Sequence, residues 1–184
     1  MPSAKSQLKS AKTSKRAGPK LGPMRLPDLY TAPGHLIRRS QQIAVAIFLD
    51  EFEKWQLTPV QYAALIAIRE SPGIEQRTLV DQIAIDRSTI GAMLRTLERR
   101  HLIRRKTPSH NLRVKQLFIQ EAGEQIMDET RMAIYRVQER ILAPLTQAER
   151  KTFTSLISKV VQLNNNQSRA PLRLSTSSPA PAES

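Results

Sequence analysis

The chain has 184 residues, of which 29 are lysine or arginine and 16 are aspartate or glutamate, for a formal net charge of +13. That surplus points to an anionic partner, with nucleic acid ahead of an anionic membrane surface. Cysteine is absent, which excludes disulfides, thiolate metal sites and thiol redox switches. The longest apolar run, Ile43 to Leu49, falls far short of the roughly 20 residues that a membrane-spanning helix needs. No apolar segment follows the N-terminal lysines, so no secretory signal is expected and a cytoplasmic protein is the simplest reading.

Residues 1–27 read as a solvated tail rich in lysine, proline, glycine and serine, and residues 168–184 as a second low-complexity tail. Between them the pattern is mainly helical. Pro33 opens a segment running to about Trp55, with apolar residues from Leu36 to Leu49. Thr58 is placed to cap a helix that has Pro59 in its first turn and buries Tyr62, Leu65, Ile66 and Ile68. Ser71, Pro72 and Gly73 end it. A short helix from about Glu75 to Ile83 follows, and Asp86 is expected to cap the next one through its side-chain oxygen.

That next helix, "DRSTIGAMLRTLERR", carries Ile90, Met93, Leu94 and Leu97 on one face. Its other face sets Arg87, Arg95 and Arg99 among the small residues Ser88, Thr89, Gly91 and Ala92. Two short β-like arms, Ile103 to Thr107 and Arg113 to Ile119, then flank a turn-rich tip containing His110 and Asn111. Helical patterning resumes at about Glu121, runs to Ile141 and is broken by Pro144. Thr146 and Glu149 form a capping box at the start of the last helix, which has Phe153, Leu156, Ile157, Val160 and Val161 on one side.

A short helix turned tightly into a helix with a small, basic outer face is a helix-turn-helix, and the hairpin after it is a wing. In such a unit the second helix enters the major groove of duplex DNA. Small side chains at Ser88, Gly91 and Ala92 let its axis settle into a groove about 12 Å wide. Ser88 and Thr89 can bond bases or phosphates, and Arg87 and Arg95 can reach phosphates or guanine edges. In the wing, Lys106, His110 and Arg113 are candidates for a narrow minor groove. The first and last helices expose more apolar surface than a small winged helix can cover, which predicts a homodimer. The basic tail either adds affinity without sequence choice or is a solvated extension.

Residues Leu57 to Ile126 resemble the MarR family of winged-helix transcription regulators. The stretches that carry the likeness are "LTPVQYAALIAI", "RTLVDQIAIDRSTIGAMLRTLERRHLIRR" and "NLRVKQLFIQEAGEQI". The resemblance implies a mostly α fold with a small β-hairpin wing and a dimerisation region built from N- and C-terminal helices. The expected layout is a dimerisation helix over 28–56, a DNA-binding domain over 57–120 and dimerisation helices over 121–167. It also implies a repressor on an inverted-repeat operator, and no enzyme. Where the family wing reads Asp-x-Arg this chain has "NLR", so Asn111 replaces the acid beside Arg113. Where the family often has Leu-Thr ahead of "xxG", Gln120 stands in the threonine position.

Members of the family usually answer to small aromatic, often anionic, ligands. Here His35 and Arg38 are the candidates for a carboxylate, and Phe48 and Tyr62, with Thr58, for the ring. Arg39 and Trp55 lie on the same segments. "PGHLIRRSQQIAVAIF" resembles the branch controlling nicotinate and related aromatic-acid breakdown, which implies a hydroxylated pyridine carboxylate. No cofactor or metal is expected: the three histidines have no metal spacing, and no phosphate loop or nucleophile elbow is present. Two other readings stay open. One is a non-inducible architectural DNA binder, which would show little sequence preference; the other is a module bound to RNA or to a protein assembly.

Overall fold

The structure, a computed structural model, describes residues 22–109 and 111–174. The basic stretch before residue 22, and the wing-tip candidate His110, lie outside the described residues. Contacts divide the chain into two units, 1–38 and 39–184. The first holds α1 (Leu26–Thr31) and the opening turns of α2 (Pro33–Glu51). Helix α1 reaches into the stretch expected to be a tail; it is short and held by the Arg25 backbone N–H donating to the Asp28 carboxylate at 3.0 Å.

The second unit runs from the rest of α2 through a single 3-10 turn (Glu53–Trp55) to α3 (Pro59–Glu70), α4 (Gln76–Gln82) and α5 (Arg87–Arg99). Strands β2 (Ile103–Lys106) and β3 (Gln116–Ile119) follow, then α6 (Glu121–Glu129), α7 (Arg131–Leu142) and α8 (Gln147–Leu163). A mostly helical chain with a small antiparallel sheet is therefore the architecture, as the sequence predicts. Among the described residues, no helix is long and apolar enough to cross a membrane.

Two predicted caps form. The Thr58 hydroxyl accepts the Gln61 backbone N–H while Gln61 reaches back to the Thr58 N–H, at 3.3 and 3.0 Å. Thr146 and Glu149 do the same for α8, and such a cap is worth about 1 kcal/mol. Asp86 does not cap as predicted: it holds the cap position of α5, but its carboxylate accepts no cap bond. The reason is local. The Thr89 N–H, the amide such a cap would serve, donates instead to the Asp86 backbone carbonyl at 2.9 Å.

The helix predicted as continuous from Glu121 to Ile141 is two helices. They part at Thr130, which is fully buried and donates its hydroxyl to the Ile126 carbonyl at 2.7 Å. A threonine bonded back one turn in this way bends a helix. The sheet also holds a strand that hydropathy alone does not show. Strand β1 (Ile74–Glu75) pairs with β3, giving the order β1-β3-β2. Two residues carry no periodicity. What creates the strand is Gly73, whose φ of +84° turns the chain and whose N–H donates to the Leu117 carbonyl at 2.8 Å.

The core lies between α3, α4, α5 and the sheet. Leu65, Ile68, Leu79, Leu94, Leu97, Ile103 and Leu117 are fully buried there. The apolar face read from α5 is the one that turns inward: Ile90, Met93, Leu94 and Leu97 are all buried. Helix α2 joins α7 through Glu51, which accepts from Arg136 and Arg140 at 2.8 Å each. Those guanidinium hydrogen bonds, Arg136 first, hold the Glu51 carboxyl below the usual carboxylate range.

Helix α5 ends in a Schellman turn. His101 sits in the left-handed region at φ 56° and donates to Glu98, while Leu102 donates to the Leu97 carbonyl at 3.0 Å. Glycine takes that conformation without a Cβ penalty. His101→Gly is expected to raise stability by about 0.5–1 kcal/mol, roughly 1–4 °C in melting temperature, read by calorimetry. A lower melting temperature would mean that the imidazole does more than fill the turn.

Candidate nucleic-acid interface

The outer face of α5 has a composition that its packing does not require. Arg87, Ser88, Thr89, Ala92 and Arg95 are exposed, with the half-buried Gly91 among them. A Cβ built on Gly91 meets only the Arg95 guanidinium, 3.5 Å away, at the end of a flexible side chain. Nothing inside the protein demands glycine there. Among the described residues, neither Arg87 nor Arg95 has an ion-pair partner. Their charge is left for something outside the fold.

Helix α5 is held rigidly at both its wing side and its C-terminus. Glu98 receives the Nε–H of Arg105 at 2.8 Å and a second, shorter bond from the same guanidinium, which fastens α5 to β2. The Arg105 hydrogen bonds keep the Glu98 carboxyl below its ordinary range, so this tie persists at neutral pH and weakens as acid protonates the carboxylate. Two residues further on, Arg100 grips two backbone carbonyls, Trp55 at 2.6 Å and Gln56 at 2.8 Å. Gln56 sits in the left-handed conformation at φ 48°, so the arginine clamps the turn that leads from α2 into α3.

The wing is braced mostly by its own side chains. Lys115 donates to the Thr107 hydroxyl at 2.6 Å across the hairpin. The Arg104 guanidinium lies 4.9 Å from the Phe118 ring centroid and the Lys106 ammonium 5.6 Å from it, which places two cations against one aromatic ring. Asn111, standing where the family has an acid, accepts the Arg113 backbone N–H at 3.2 Å. It shapes the turn through the backbone and leaves the Arg113 guanidinium without an ion pair among the described residues.

Between α4, the start of α5 and the base of the wing runs an open groove of about 600 Å³. Arg77, Arg87, Arg113 and Lys115 line it against the single acid Glu75, with Ile90 and Val80 as its floor. Four cations converging on one groove suit a phosphodiester backbone, which carries one charge per roughly 1.7 Å of duplex axis. The structure thus brings Arg87 and Arg113 together, and places Ser88, Thr89, Gly91, Ala92 and Arg95 along the adjoining face. Lys106 is exposed on β2 over Phe118. Arg77 was not singled out from the sequence. Its signal is weak, one arginine on a short helix, and only the fold turns it toward Arg87.

The residues singled out for a small-molecule effector belong to different units. His35 and Arg38 are in the first, where the His35 ring lies 6.0 Å from that of Tyr30. Phe48, Thr58 and Tyr62 are in the second. There Phe48 stacks on Phe52 with centroids 4.0 Å apart, and Tyr62 meets Phe52 edge-on at 5.1 Å. All three rings are buried. Phe52, fully buried at the centre of this cluster, escaped the sequence reading because it falls at the end of α2, where the helical period runs out.

The class this geometry defines is a winged helix-turn-helix, and comparison with known proteins agrees. The MarR family model matches residues 57–115. The PcaV transcriptional regulator of Streptomyces coelicolor, solved in complex with its natural ligand, is 32% identical with a TM-score of 0.66. That likeness covers 76% of this chain and 98% of the other. BpsR of Bordetella bronchiseptica, solved to explain regulation of its DNA binding by 6-hydroxynicotinic acid, is 25% identical with a TM-score of 0.68, covering 76% and 97%. The transcriptional repressor NicR of Pseudomonas putida is 26% identical over 139 residues, covering 76% of this chain and 88% of its own. The chain belongs to the MarR family of transcription regulators, which are DNA-binding proteins and not enzymes.

Proposed function

We infer that this protein is a cytoplasmic repressor. As a homodimer it binds an inverted-repeat operator, and a small aromatic acid releases it. The observation that carries the DNA-binding part is the glycine between two unpaired arginines on α5. Arg87, Ser88, Thr89, Gly91, Ala92 and Arg95 form the major-groove face, and Lys106, His110 and Arg113 the wing contacts, with Arg77 and Lys115 added on phosphates.

The dimer reading rests on apolar surface left uncovered in the second unit. Helix α8 buries none of its residues; Phe153, Leu156, Val160 and Val161 are exposed, as are Met132 and Tyr135 on α7 and Ile43 on α2. A second copy is the natural cover, and it sets two recognition helices about one turn of DNA apart.

Support for the effector comes from two relatives, one whose DNA binding is regulated by 6-hydroxynicotinic acid and one solved with its natural ligand. Phe48 and Tyr62 remain the proposed ring contacts; both are buried and pack against Phe52. Thr58, whose hydroxyl serves the α3 cap, remains the proposed polar contact in the second unit, and His35 and Arg38 remain proposed in the first. A thermal-shift screen with hydroxylated pyridine and benzene carboxylates tests this reading. At 100 times its Kd an effector raises stability by about 2.7 kcal/mol, and the same acid should dissociate the protein from operator DNA. A set of such acids that neither stabilises the protein nor releases DNA would overturn the effector assignment and favour the architectural alternative.

A further inference from the structure

Beyond α8 the chain does not trail away. After a 3-10 turn at Asn165–Gln167 it folds back against the helix-turn-helix. Asn165 holds the return through both backbone groups of one residue: its side-chain oxygen accepts the Leu172 N–H at 2.8 Å, and its amide donates to the Leu172 carbonyl at 3.0 Å. Arg173 then donates its backbone N–H to the Asp81 carbonyl in α4 at 2.8 Å. Residues 168–174, read from composition as tail, are therefore docked. Composition sees only a short SRAPLRL stretch leading into a low-complexity end; it cannot see that Asn165 closes a loop.

The docking places charge next to the proposed recognition helix. Arg169 and Arg173 face Arg87 and Ser88 across a groove of about 390 Å³ that also contains Asp81 and Asp86. Neither arm arginine forms an ion pair among the described residues, although two acids are close by. Arg87 consequently stands between two grooves. On one side are Arg77, Arg113 and Lys115 from α4 and the wing, and on the other the two arm arginines.

We propose that the segment 168–174 is a third DNA-contacting element, in which Arg169 and Arg173 engage duplex phosphates on the side of the recognition helix away from the wing. The inference rests on the reading of α5 as the DNA-binding face and extends it. A winged helix alone touches the backbone through its helix pair and its wing; the arm adds a clamp on the remaining flank. Its contacts are to phosphate and carry no base choice, so they lengthen the electrostatic footprint without narrowing the sequence preference.

The test uses the full chain and a random-sequence duplex of about 30 base pairs, with affinity read by fluorescence anisotropy over a salt series. The double substitution R169A/R173A removes two exposed side chains and leaves the backbone bonds of the arm in place. It should weaken binding several-fold and make the plot of log affinity against log salt shallower by about 1.8 per protomer, near 0.9 for each phosphate contact. Arg87→Ala is measured in parallel. If Arg87→Ala weakens binding while R169A/R173A leaves the slope unchanged, the arm is no part of the interface and this inference fails alone. If neither changes affinity, the reading of α5 fails with it. Tighter binding by R169A/R173A would mean that the arm obstructs DNA, which equally overturns the proposal.

Discussion

Gly123→Ala is expected to lower stability by about 3 kcal/mol, the upper part of the range for forcing a methyl group into a packed site. Melting temperature should fall by roughly 6–12 °C for a chain of this size. A Cβ at this position would lie 2.4 Å from the Leu102 carbonyl oxygen and 2.7 Å from the Ile119 side chain. The carbonyl cannot move aside, because it accepts the Gln120 N–H at 2.9 Å. Gln120 also donates its side-chain amide to the Ile103 carbonyl at 2.7 Å. Gly123 is therefore where α6 presses against the junction between the recognition helix and the wing. Calorimetry checks the size of the effect, and amide exchange in β2 and β3 checks its location: protection should be lost first in those strands. A loss under about 0.5 kcal/mol, the range of an ordinary surface change, would show that the junction is looser than the geometry describes.

Much of this fold is legible in the chain because local signals and burial agree. Thr58 with Pro59 and Gln61, and Thr146 with Glu149, start helices by chemistry confined to one turn, and both caps form as read. The stripe Ile90, Met93, Leu94 and Leu97 identifies the inner face of α5, and so its outer face as well. What cannot be read is set by partners far along the sequence. The bend at Thr130 depends on burying a hydroxyl that then bonds back to Ile126. Strand β1 exists because Leu117, more than forty positions away, offers a carbonyl to Gly73.

The candidate site divides in the same way. The face of α5 is a property of one helix and is visible as a pattern of small and cationic residues. The groove it shares with Arg77, Arg113 and Lys115 is assembled from three elements and appears only in three dimensions. The same holds for Phe52, whose ring neighbours Phe48 and Tyr62 were noticed while the ring between them was not. Asn111 is a further instance. The resemblance to the family presents it as a lost charge, whereas the structure gives it a backbone acceptor role that an aspartate would also fill.

Affinity for target duplex and thermal stability, measured together on Gly91→Ala and Gly91→Gln, decide the matter most directly. The built Cβ meets only the flexible Arg95 guanidinium, so the alanine should fold at least as well as the parent and gain about 1 kcal/mol of helix stability. The glutamine should fold too, yet bind DNA about a hundredfold more weakly, because its side chain stands where base edges must come and one or two contacts of about 1–3 kcal/mol each are lost. A folded Gly91→Gln protein that keeps its full affinity for duplex DNA would contradict the account, since α5 would then not be the surface that enters the groove.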